Sequence, residues 1–266
     1  MLTVVIPVYN QFALMEQLMQ TWFDLMKTNV KFLFIDNGSA ELLSDQSFFV
    51  TWQRKYRVRV LRNDQNVGVY PTFQQGYDSS DTELIFFSHS DVEMCEYGWD
   101  EKIISIYRRL EKPGVFGMFG AKGIGTPEIY RAPYDFRQLM RWDCITVESM
   151  LHGGARLINS DYERIMVLDG FSMIVVRNMV VDAMNSKFDH ERYPVHHCYD
   201  LDVSLDSHFG GYHNYVIDVD CKHHGGATST REKWAEKFNT TDLAIHRKAH
   251  QVMYNKFRNR LPVSVP

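Results

Sequence analysis

The feature that most constrains the fold is a repeat of short apolar segments separated by stretches of helical character. The first segment, residues 2–8, is an apolar run rich in β-branched side chains, which is typical of a strand buried on both faces of a parallel sheet. Residues 12–26 then carry apolar side chains at roughly helical spacing. Further strands are expected at residues 31–35, 57–61 and 83–88. The alternation predicts an α/β fold with a Rossmann-like, mostly parallel central sheet flanked by helices.

Each of the four predicted strands ends in polar or acidic residues, with Asp36 closing the second and Asp91 the fourth. Asx and Gly residues are also common in turns, so a turn explains any one of these endings. Four such endings in succession favour a binding site, because ligands of doubly wound sheets lie outside the carboxyl ends of the strands.

The composition fits a single globular enzyme with two functional halves. A chain of 266 residues can form one α/β unit, and its contents of 45% hydrophobic and 23% charged residues are near the globular average. The net charge of −4 excludes a surface that is basic throughout, as in proteins that hold nucleic acid by phosphate neutralisation alone. No apolar run is long enough to cross a bilayer. Four dispersed cysteines without a signal peptide predict a reduced, cytoplasmic protein.

The pattern loosens in the second half of the chain. Residues 122–164 are rich in aromatic and arginine side chains. This segment is either a binding insertion, or a lid or a satellite core under a long loop. An apolar segment at 167–177, a helix at 200–208 and a strand at 215–219 are expected next. Beyond residue 229 the chain is helical and basic, with eight Lys/Arg against three Asp/Glu between residues 231 and 260.

Short motifs in a fixed order resemble those of family-2-type glycosyltransferases with the GT-A fold. Those similar to the nucleotide-binding half are T-V-V-I-P-V-Y-N at 3–10, I-D-N-G-S at 35–39, N-V-G at 66–68 and H-S-D-V-E at 89–93. Those similar to the acceptor half are L-D-G-F-S-M at 168–173, F-D at 188–189, Y-D-L-D-V at 199–203, G-G-Y at 210–212 and H-H-G-G at 223–226. Each motif alone is weak, and their common order is the specific signal. The resemblance implies a donor half at 1–95, an acceptor and catalytic half at 96–230, and a basic helical tail at 231–266. The length of the segment 122–164 indicates an acceptor-side insertion within the second half.

The resemblance also implies a nucleoside diphosphate sugar as donor. The matching positions of the first loop, which cradles the nucleoside, are Pro7, Val8, Tyr9 and Asn10. Asp36 matches the family acid that reads the base or ribose. Asn66 and Gly68 match a loop that caps the next helix and lets its backbone approach the nucleotide, although their role can also be structural alone.

A divalent ion bound at the acidic motif would stabilise the charge of the departing diphosphate. Hard oxygen ligands suit Mn²⁺ or Mg²⁺. Asp91, with Ser90 before it, matches the final acid of the family's D-x-D motif, and Glu93 is a direct or water-mediated ligand. The usual first carboxylate is replaced by His89 or Ser90, so a His from the other half gains importance; it matches His223 or His224, and the sequence leaves both open.

The general base is expected at Asp200, because the family's Glu-Asp pair reads Tyr199-Asp200 here. A carboxylate in a cleft can take the proton of an acceptor hydroxyl. A single base predicts one direct displacement and inversion at the anomeric carbon. Asp202 would share the face of Asp200 in a strand and would turn away from it at the start of a helix.

Other functions fit the sequence less well, and one alternative lies outside enzymes. A dinucleotide-dependent oxidoreductase requires G-x-G-x-x-G after the first strand, where this chain has Pro7 to Asn10. A zinc site at residues 196–198 and 221–224 lacks the usual cysteine spacing. A non-catalytic carbohydrate-binding protein is the alternative outside enzymes. For an enzyme, the acceptor is a polysaccharide or lipid-linked glycan, with the basic tail resting on an anionic membrane, or a hydroxylated DNA base.

Overall fold

The computed structural model describes residues 1–125, 160–193, 197–225 and 241–265. The strands in these ranges are β1 Leu2–Val8, β2 Lys31–Asn37, β3 Arg57–Asn63, β4 Leu84–Ser88, β5 Val92–Met94, β6 Pro113–Gly117, β7 Gly120–Ala121, β8 Gly123–Ile124, β9 Tyr162–Ile165, β10 Val167–Leu168, β11 Ser172–Val176, β12 His213–Ile217, β13 Cys221–His223 and β14 Val263–Ser264. The helices are α1 Phe12–Asp24, α2 Ser47–Lys55, α3 Val69–Asp78, α4 Trp99–Tyr107, α5 Arg177–Met184, α6 Tyr199–Phe209 and α7 Asp242–Phe257.

Eight strands form one central sheet in the order β3-β2-β1-β4-β11-β6-β12-β9. The first four pair in parallel, β11 is antiparallel to both of its neighbours, β12 is parallel to β6, and β9 is antiparallel to β12. Six of the eight strands therefore share a direction, which confirms the prediction of a mostly parallel α/β sheet flanked by helices. The remaining pairs are short ribbons, of which β5 with β13 matters most for the site.

The core lies on both faces of the sheet, as strand β4 shows. Its neighbours Phe86 and Phe87 are fully buried and point to opposite faces because side chains alternate along a strand. Phe86 packs against Trp22 of α1 with ring centroids 5.3 Å apart, whereas Phe87 stacks on Phe73 of α3 at 4.1 Å. Each such ring contributes about 1.5–3 kcal/mol by leaving water. The sheet is thereby held between helical layers.

The predicted elements of the first half occur at the expected positions, and strands β2 and β3 each run two residues further than expected. The expected helix after residue 199 is α6, and the expected strand at 215–219 begins two residues earlier, at His213. Helices α2 and α4 and strands β5, β6 and β9 were not anticipated. Most of the long insertion, 126–159, and the start of the basic tail, up to residue 240, lie outside the described residues. The division into two halves and a tail stays a prediction.

No helix within the described ranges combines the length and apolar character that a membrane crossing requires.

Candidate active site

The candidate site lies where the strand order reverses, between β1 and β4. Strand β1 pairs with β4 only as far as Val5, opposite Phe87, but continues beside β2 until Val8, opposite Asp36. The carboxyl ends of β1 and β4 therefore separate and leave a crevice, which is where doubly wound sheets bind their ligands. Because β11 runs in reverse, its first residue, Ser172, pairs with Ser88 at this same edge.

Three side chains converge beyond the end of β4 in a group that can hold a metal ion. One donor atom each from His89, Asp91 and His223 lies within 4.8 Å of the others. The Nε2 atom of His223 is 3.3 Å from Asp91 Oδ1 and 3.3 Å from His89 Nδ1. Strand pairing explains the proximity, since His223 of β13 lies opposite Val92 of β5, one residue after Asp91. Asp91 and His223 are buried and His89 is partly exposed.

The local environment favours the ionised form of Asp91. Burial alone would raise the pKa of this carboxyl, but the hydrogen bond and charge of His223, with the charge of His89, outweigh burial and hold the pKa below its usual value. A carboxylate that stays ionised beside two imidazoles is suited to a cation.

The structure separates the two candidate histidines. His224 directs Nε2 at Glu93 Oε2, 2.9 Å away, and its backbone N–H donates to Asp91 O over 2.9 Å. Within the described residues, His223 therefore joins Asp91, whereas His224 and Glu93 form a neighbouring pair outside the group of three. Ser90 lies in the turn between β4 and β5.

The loop after β1 is tied to the loop after β2. The N–H of Asn10 donates to Ser39 Oγ over 2.8 Å, and Asn10 Oδ1 accepts from the N–H of Ala40 over 2.9 Å. Asn10 and Gln11 both have left-handed backbone, with φ of 53° and 54°, a conformation that costs about 1 kcal/mol or more in a residue other than Gly. Val8 is buried, and Pro7 and Tyr9 are half-buried. The predicted nucleoside loop is thus a strained, cross-linked turn at the crevice.

Asp36, the predicted reader of the nucleoside, is 1% exposed and binds protein donors with both oxygens. Oδ1 accepts from the N–H of Ser39 over 3.0 Å, and Oδ2 accepts from the N–H of Leu43 over 3.2 Å. Arg62 adds an ion pair to Oδ2 at 2.5 Å and donates to Ser39 O over 2.7 Å. In this structure Asp36 fixes the shape of the loop, and its role toward a nucleoside stays a prediction.

Asn66 and Gly68 belong to an amide network that joins β2, β3 and α3. The side chain of Asn37 donates to Asn66 Oδ1 over 3.0 Å and to Gly68 O over 3.1 Å. Gly68 caps α3 with a φ of 92°, which favours glycine. Gly38 has a φ of 82°, and a Cβ there would lie 2.5 Å from the backbone of Gln65. The two loops therefore pack backbone against backbone, which shows a structural role for both predicted residues.

Asp200 lies in the first turn of α6 and its carboxylate is aligned by two backbone donors. The N–H of Gly170 donates to Oδ2 over 3.0 Å, and the N–H of Leu201 donates to Oδ1 over 2.9 Å. Burial, followed by the negative charge of Asp169, raises the pKa of Asp200 to about 7. A carboxyl with a pKa near neutral pH is suited to general base catalysis.

The segment 169–171 connects the two parts of the site. Its residue Phe171 stacks on His223 with ring centroids 4.5 Å apart and accepts at its carbonyl oxygen from the N–H of His89 over 3.1 Å. Asp169 accepts from the N–H of Phe171 over 3.1 Å, which closes the turn. One three-residue segment thus touches the candidate metal group and, through Gly170, the candidate base.

Asp202 faces away from Asp200, as expected at the start of a helix. It is fully buried and accepts from the hydroxyls of Tyr70 and Tyr193 over 2.6 and 2.7 Å and from Lys256 over 2.8 Å. Lys256 belongs to α7 and also binds Asp206 at 2.7 Å. This buried network fastens the C-terminal helix to α6.

Three residues of the site are not predicted from the sequence. His89 replaces a carboxylate in the D-x-D-like motif, and that position is the one sequence signal for it as a ligand. Tyr199 contacts His89 Nε2 through its hydroxyl at 2.8 Å, and no pattern in the sequence pairs these positions. Arg62 carries no local signal, because only the parallel pairing of β2 and β3 brings it opposite Asp36.

Comparison with solved structures supports the fold. The mannosyltransferase PcManGT from Pyrobaculum calidifontis, in complex with GDP-Man and Mn²⁺, is 14% identical, with a TM-score of 0.61 over 100% of this chain and 66% of that one. Residues 1–349 of S. aureus TarS, in complex with UDP-GlcNAc, are 11% identical, with a TM-score of 0.59 over 97% and 72%. GalNAc-T7 with UDP, GalNAc and Mn²⁺ is 11% identical, with a TM-score of 0.62 over 84% and 43%. At such identities the likeness shows a GT-A fold alone.

The chain spans just under two thirds of the length of PcManGT and less than half of GalNAc-T7. No curated protein matches the sequence significantly. The sequence model described as glycosyl transferase family 2 matches residues 3–170. Since this match covers more than half of the chain, the protein belongs to glycosyl transferase family 2.

Proposed function

We propose that this protein transfers a sugar from a nucleoside diphosphate sugar to an acceptor hydroxyl, in an inverting reaction that depends on a divalent metal ion. The observation that carries the proposal is the convergence of His89, Asp91 and His223 beside the helix that presents Asp200. Membership of the family and the nucleotide sugars bound by PcManGT and TarS support the donor class.

The three converging side chains fit a divalent cation. Their donor atoms are two imidazole nitrogens and one carboxylate oxygen, already within 4.8 Å of one another. Imidazole is a less usual ligand for Mg²⁺, which prefers carboxylates and water, so this donor set favours Mn²⁺. A bound divalent ion supplies positive charge that stabilises the departing diphosphate. His89, Asp91 and His223 would hold that ion, and Glu93 with His224 would flank it.

The chain itself provides the base. The carboxylate of Asp200, held by the N–H groups of Gly170 and Leu201, accepts the proton of the acceptor hydroxyl as its oxygen forms a bond to the anomeric carbon. The bond from that carbon to the diphosphate oxygen breaks in the same step, with its electron pair leaving on the diphosphate. One displacement inverts the anomeric carbon. Asp169 lies nearby but is engaged in its turn, which supports a single base.

The nucleoside would lie at the linked loops of the crevice. Pro7, Val8, Tyr9 and Asn10 form one wall, and the loop shaped by Asp36 forms the other. A glycan is the acceptor class we propose, entering on the side of Asp200 and α6. A hydroxylated DNA base remains the competing acceptor, and binding that weakens steeply with salt would favour it.

A donor screen tests the proposal. The protein is incubated with a panel of nucleoside diphosphate sugars and Mn²⁺ or Mg²⁺, and release of nucleoside diphosphate and thermal stabilisation are measured. Asp91→Asn is expected to lose Mn²⁺ and donor binding. Asp200→Asn is expected to keep both and to lower kcat by about 10²–10⁴-fold. If no donor binds with either metal, the proposal fails; if Asp200→Asn leaves turnover unchanged, the base is elsewhere.

Asp100→Asn is the matched control for Asp200→Asn. Asp100 is fully buried and, like Asp200, accepts from two backbone N–H groups, those of Lys27 over 2.9 Å and Thr28 over 2.5 Å. It lies on α4, away from the candidate site. Its substitution is expected to lower thermal stability while kcat stays near that of the wild type. Equal losses of kcat in both variants would show a general structural effect.

A further inference from the structure

Two positions at which this chain departs from the family motifs lie in contact with each other. His89, next to Ser90, lies where the usual first carboxylate of the acidic motif is replaced, and Tyr199 stands at the usual Glu before the base. The Nε2 atom of His89 is 2.8 Å from the Tyr199 hydroxyl, across a sequence separation of 110 residues. Two departures that each weaken a motif are therefore parts of one interaction.

The His89 ring spans the distance between Tyr199 and the candidate metal group. Its other nitrogen, Nδ1, is 3.3 Å from His223 Nε2 and 3.9 Å from Asp91 Oδ1. A neutral imidazole that offers Nδ1 to a cation must carry its proton on Nε2. Nε2 then donates, and the Tyr199 oxygen accepts. The contact is compatible with the tautomer that leaves Nδ1 available to a cation.

Packing leaves Tyr199 little freedom. Its side chain is 4% exposed and meets Phe73 edge to face with ring centroids 5.0 Å apart. On its other side Gly170 makes room, because a Cβ there would lie 2.3 Å from the hydroxyl oxygen. The backbone of His89 is also fixed, since its N–H donates to Phe171 O. Tyr199 therefore cannot leave the contact without disturbing the core.

We propose that Tyr199 is a positioning residue of the metal site: it accepts the Nε2–H of His89 and so presents His89 Nδ1 to a cation shared with Asp91 and His223. This inference rests on the proposed function for the presence of the cation. Partners that orient a ligating His in this way typically change metal affinity by about 10–100-fold when they are removed. Tyr199→Phe removes only the hydroxyl oxygen and keeps the ring.

The test is a titration of the full chain with Mn²⁺ in the absence of nucleotide. The electron paramagnetic resonance signal of free Mn²⁺ measures how much of the ion is bound. Tyr199→Phe is expected to weaken binding about tenfold. Tyr70→Phe is the matched control, because Tyr70 is equally buried and loses a hydroxyl bonded to Asp202; its affinity should stay within about twofold of the wild type. In a His89→Ala background, Tyr199→Phe should cause no further loss.

A second measurement is independent of metal binding. Nitrogen-15 NMR of the metal-free protein should show the His89 ring with its proton on Nε2, and Tyr199→Phe should shift it toward a mixture of tautomers. If the wild type binds Mn²⁺ and Tyr199→Phe binds it with the same affinity, the role proposed for Tyr199 is wrong and the proposed function is untouched. The role proposed for Tyr199 is also wrong if Tyr199→Phe lowers the Mn²⁺ affinity equally in the wild-type and His89→Ala backgrounds. Failure of the wild type to bind Mn²⁺ would overturn the metal assignment of the proposed function and this inference with it.

Discussion

The substitution Asp169→Asn tests the electrostatic account of the proposed base. Burial raises the pKa of Asp200 to about 7, and the charge of Asp169 is the second cause. Asn at position 169 removes that charge but keeps an oxygen that can accept from the N–H of Phe171, as Asp169 does over 3.1 Å. We therefore expect the turn to persist while the pKa of Asp200 falls.

The expected size follows from the ionised fraction of the base. With a pKa of about 7, Asp200 is about 9% ionised at pH 6 and about 91% ionised at pH 8, so kcat/KM of the wild type should rise about tenfold between these pH values. A fall in the pKa of Asp200 would raise the ionised fraction, and with it kcat/KM at pH 6, by up to about tenfold at the limit of full ionisation. It would leave activity at pH 8 nearly unchanged, because Asp200 is already about 91% ionised there.

The sign is unambiguous, because a carboxyl accepts a proton only when it is ionised. Activity is therefore lost as the pH falls through the pKa of Asp200, and Asp169→Asn should move this loss to lower pH. The assay is nucleoside diphosphate release, measured as kcat/KM from pH 5 to pH 9. Asp182→Asn, which removes an acid on α5 whose oxygen accepts from Tyr212, is the control and should keep the wild-type profile.

Two results would refute this reasoning. A wild-type profile that falls only near pH 4 would mean that burial does not raise the pKa of the base. A profile that is the same in Asp169→Asn and the wild type would mean that the charge of Asp169 has no influence on the rate.

Two further substitutions test the packing around the site. Lys256→Met should lower the free energy of unfolding by about 3 kcal/mol at pH 8. This is the lower end of the range for breaking a buried ion pair, because two tyrosine hydroxyls continue to donate to Asp202. The loss should be smaller at pH 5, where Asp202 can take up a proton, and urea unfolding at both pH values measures it. Gly170→Ala should displace Tyr199, whose hydroxyl would lie 2.3 Å from the new Cβ, with a cost of about 1–3 kcal/mol and an Mn²⁺ affinity reduced as in Tyr199→Phe. An equal loss of unfolding free energy at both pH values in Lys256→Met would contradict the first expectation. An Mn²⁺ affinity equal to that of the wild type in Gly170→Ala would contradict the second.

The sequence predicted the first half of the fold well because its strands are buried on both faces. Continuous apolar runs such as residues 2–8 and 84–88 give an unambiguous signal, and the polar residues after them lie at the sheet edge where the structure places the candidate site. Strand β5 gave no such signal, since Val92–Met94 has three residues and pairs with β13, far along the chain. Pairing between distant segments is not encoded in local periodicity.

The direction in which neighbouring side chains point could also not be predicted from the sequence. His223 and His224 are chemically identical neighbours, and only the register that places His223 opposite Val92 brings one of them to Asp91. Asp200 and Asp202 separate because two residues of an α-helix differ by about 200° around its axis. Neither outcome could be settled before the element type and the strand register were known.

The reversed direction of β11 has a consequence for motion in the protein. The segment 169–171 leads directly into β11, whose residues Ser172 and Met173 pair with Ser88 and Phe87 of β4, and Phe171 O accepts from the N–H of His89 just beyond β4. Such ladders open only with large parts of the core, so this side of the crevice is expected to exchange its amide hydrogens slowly. Within the described part of the chain, an opening that admits a large acceptor is therefore expected from displacement of α6 and α7, which are held together by side-chain contacts.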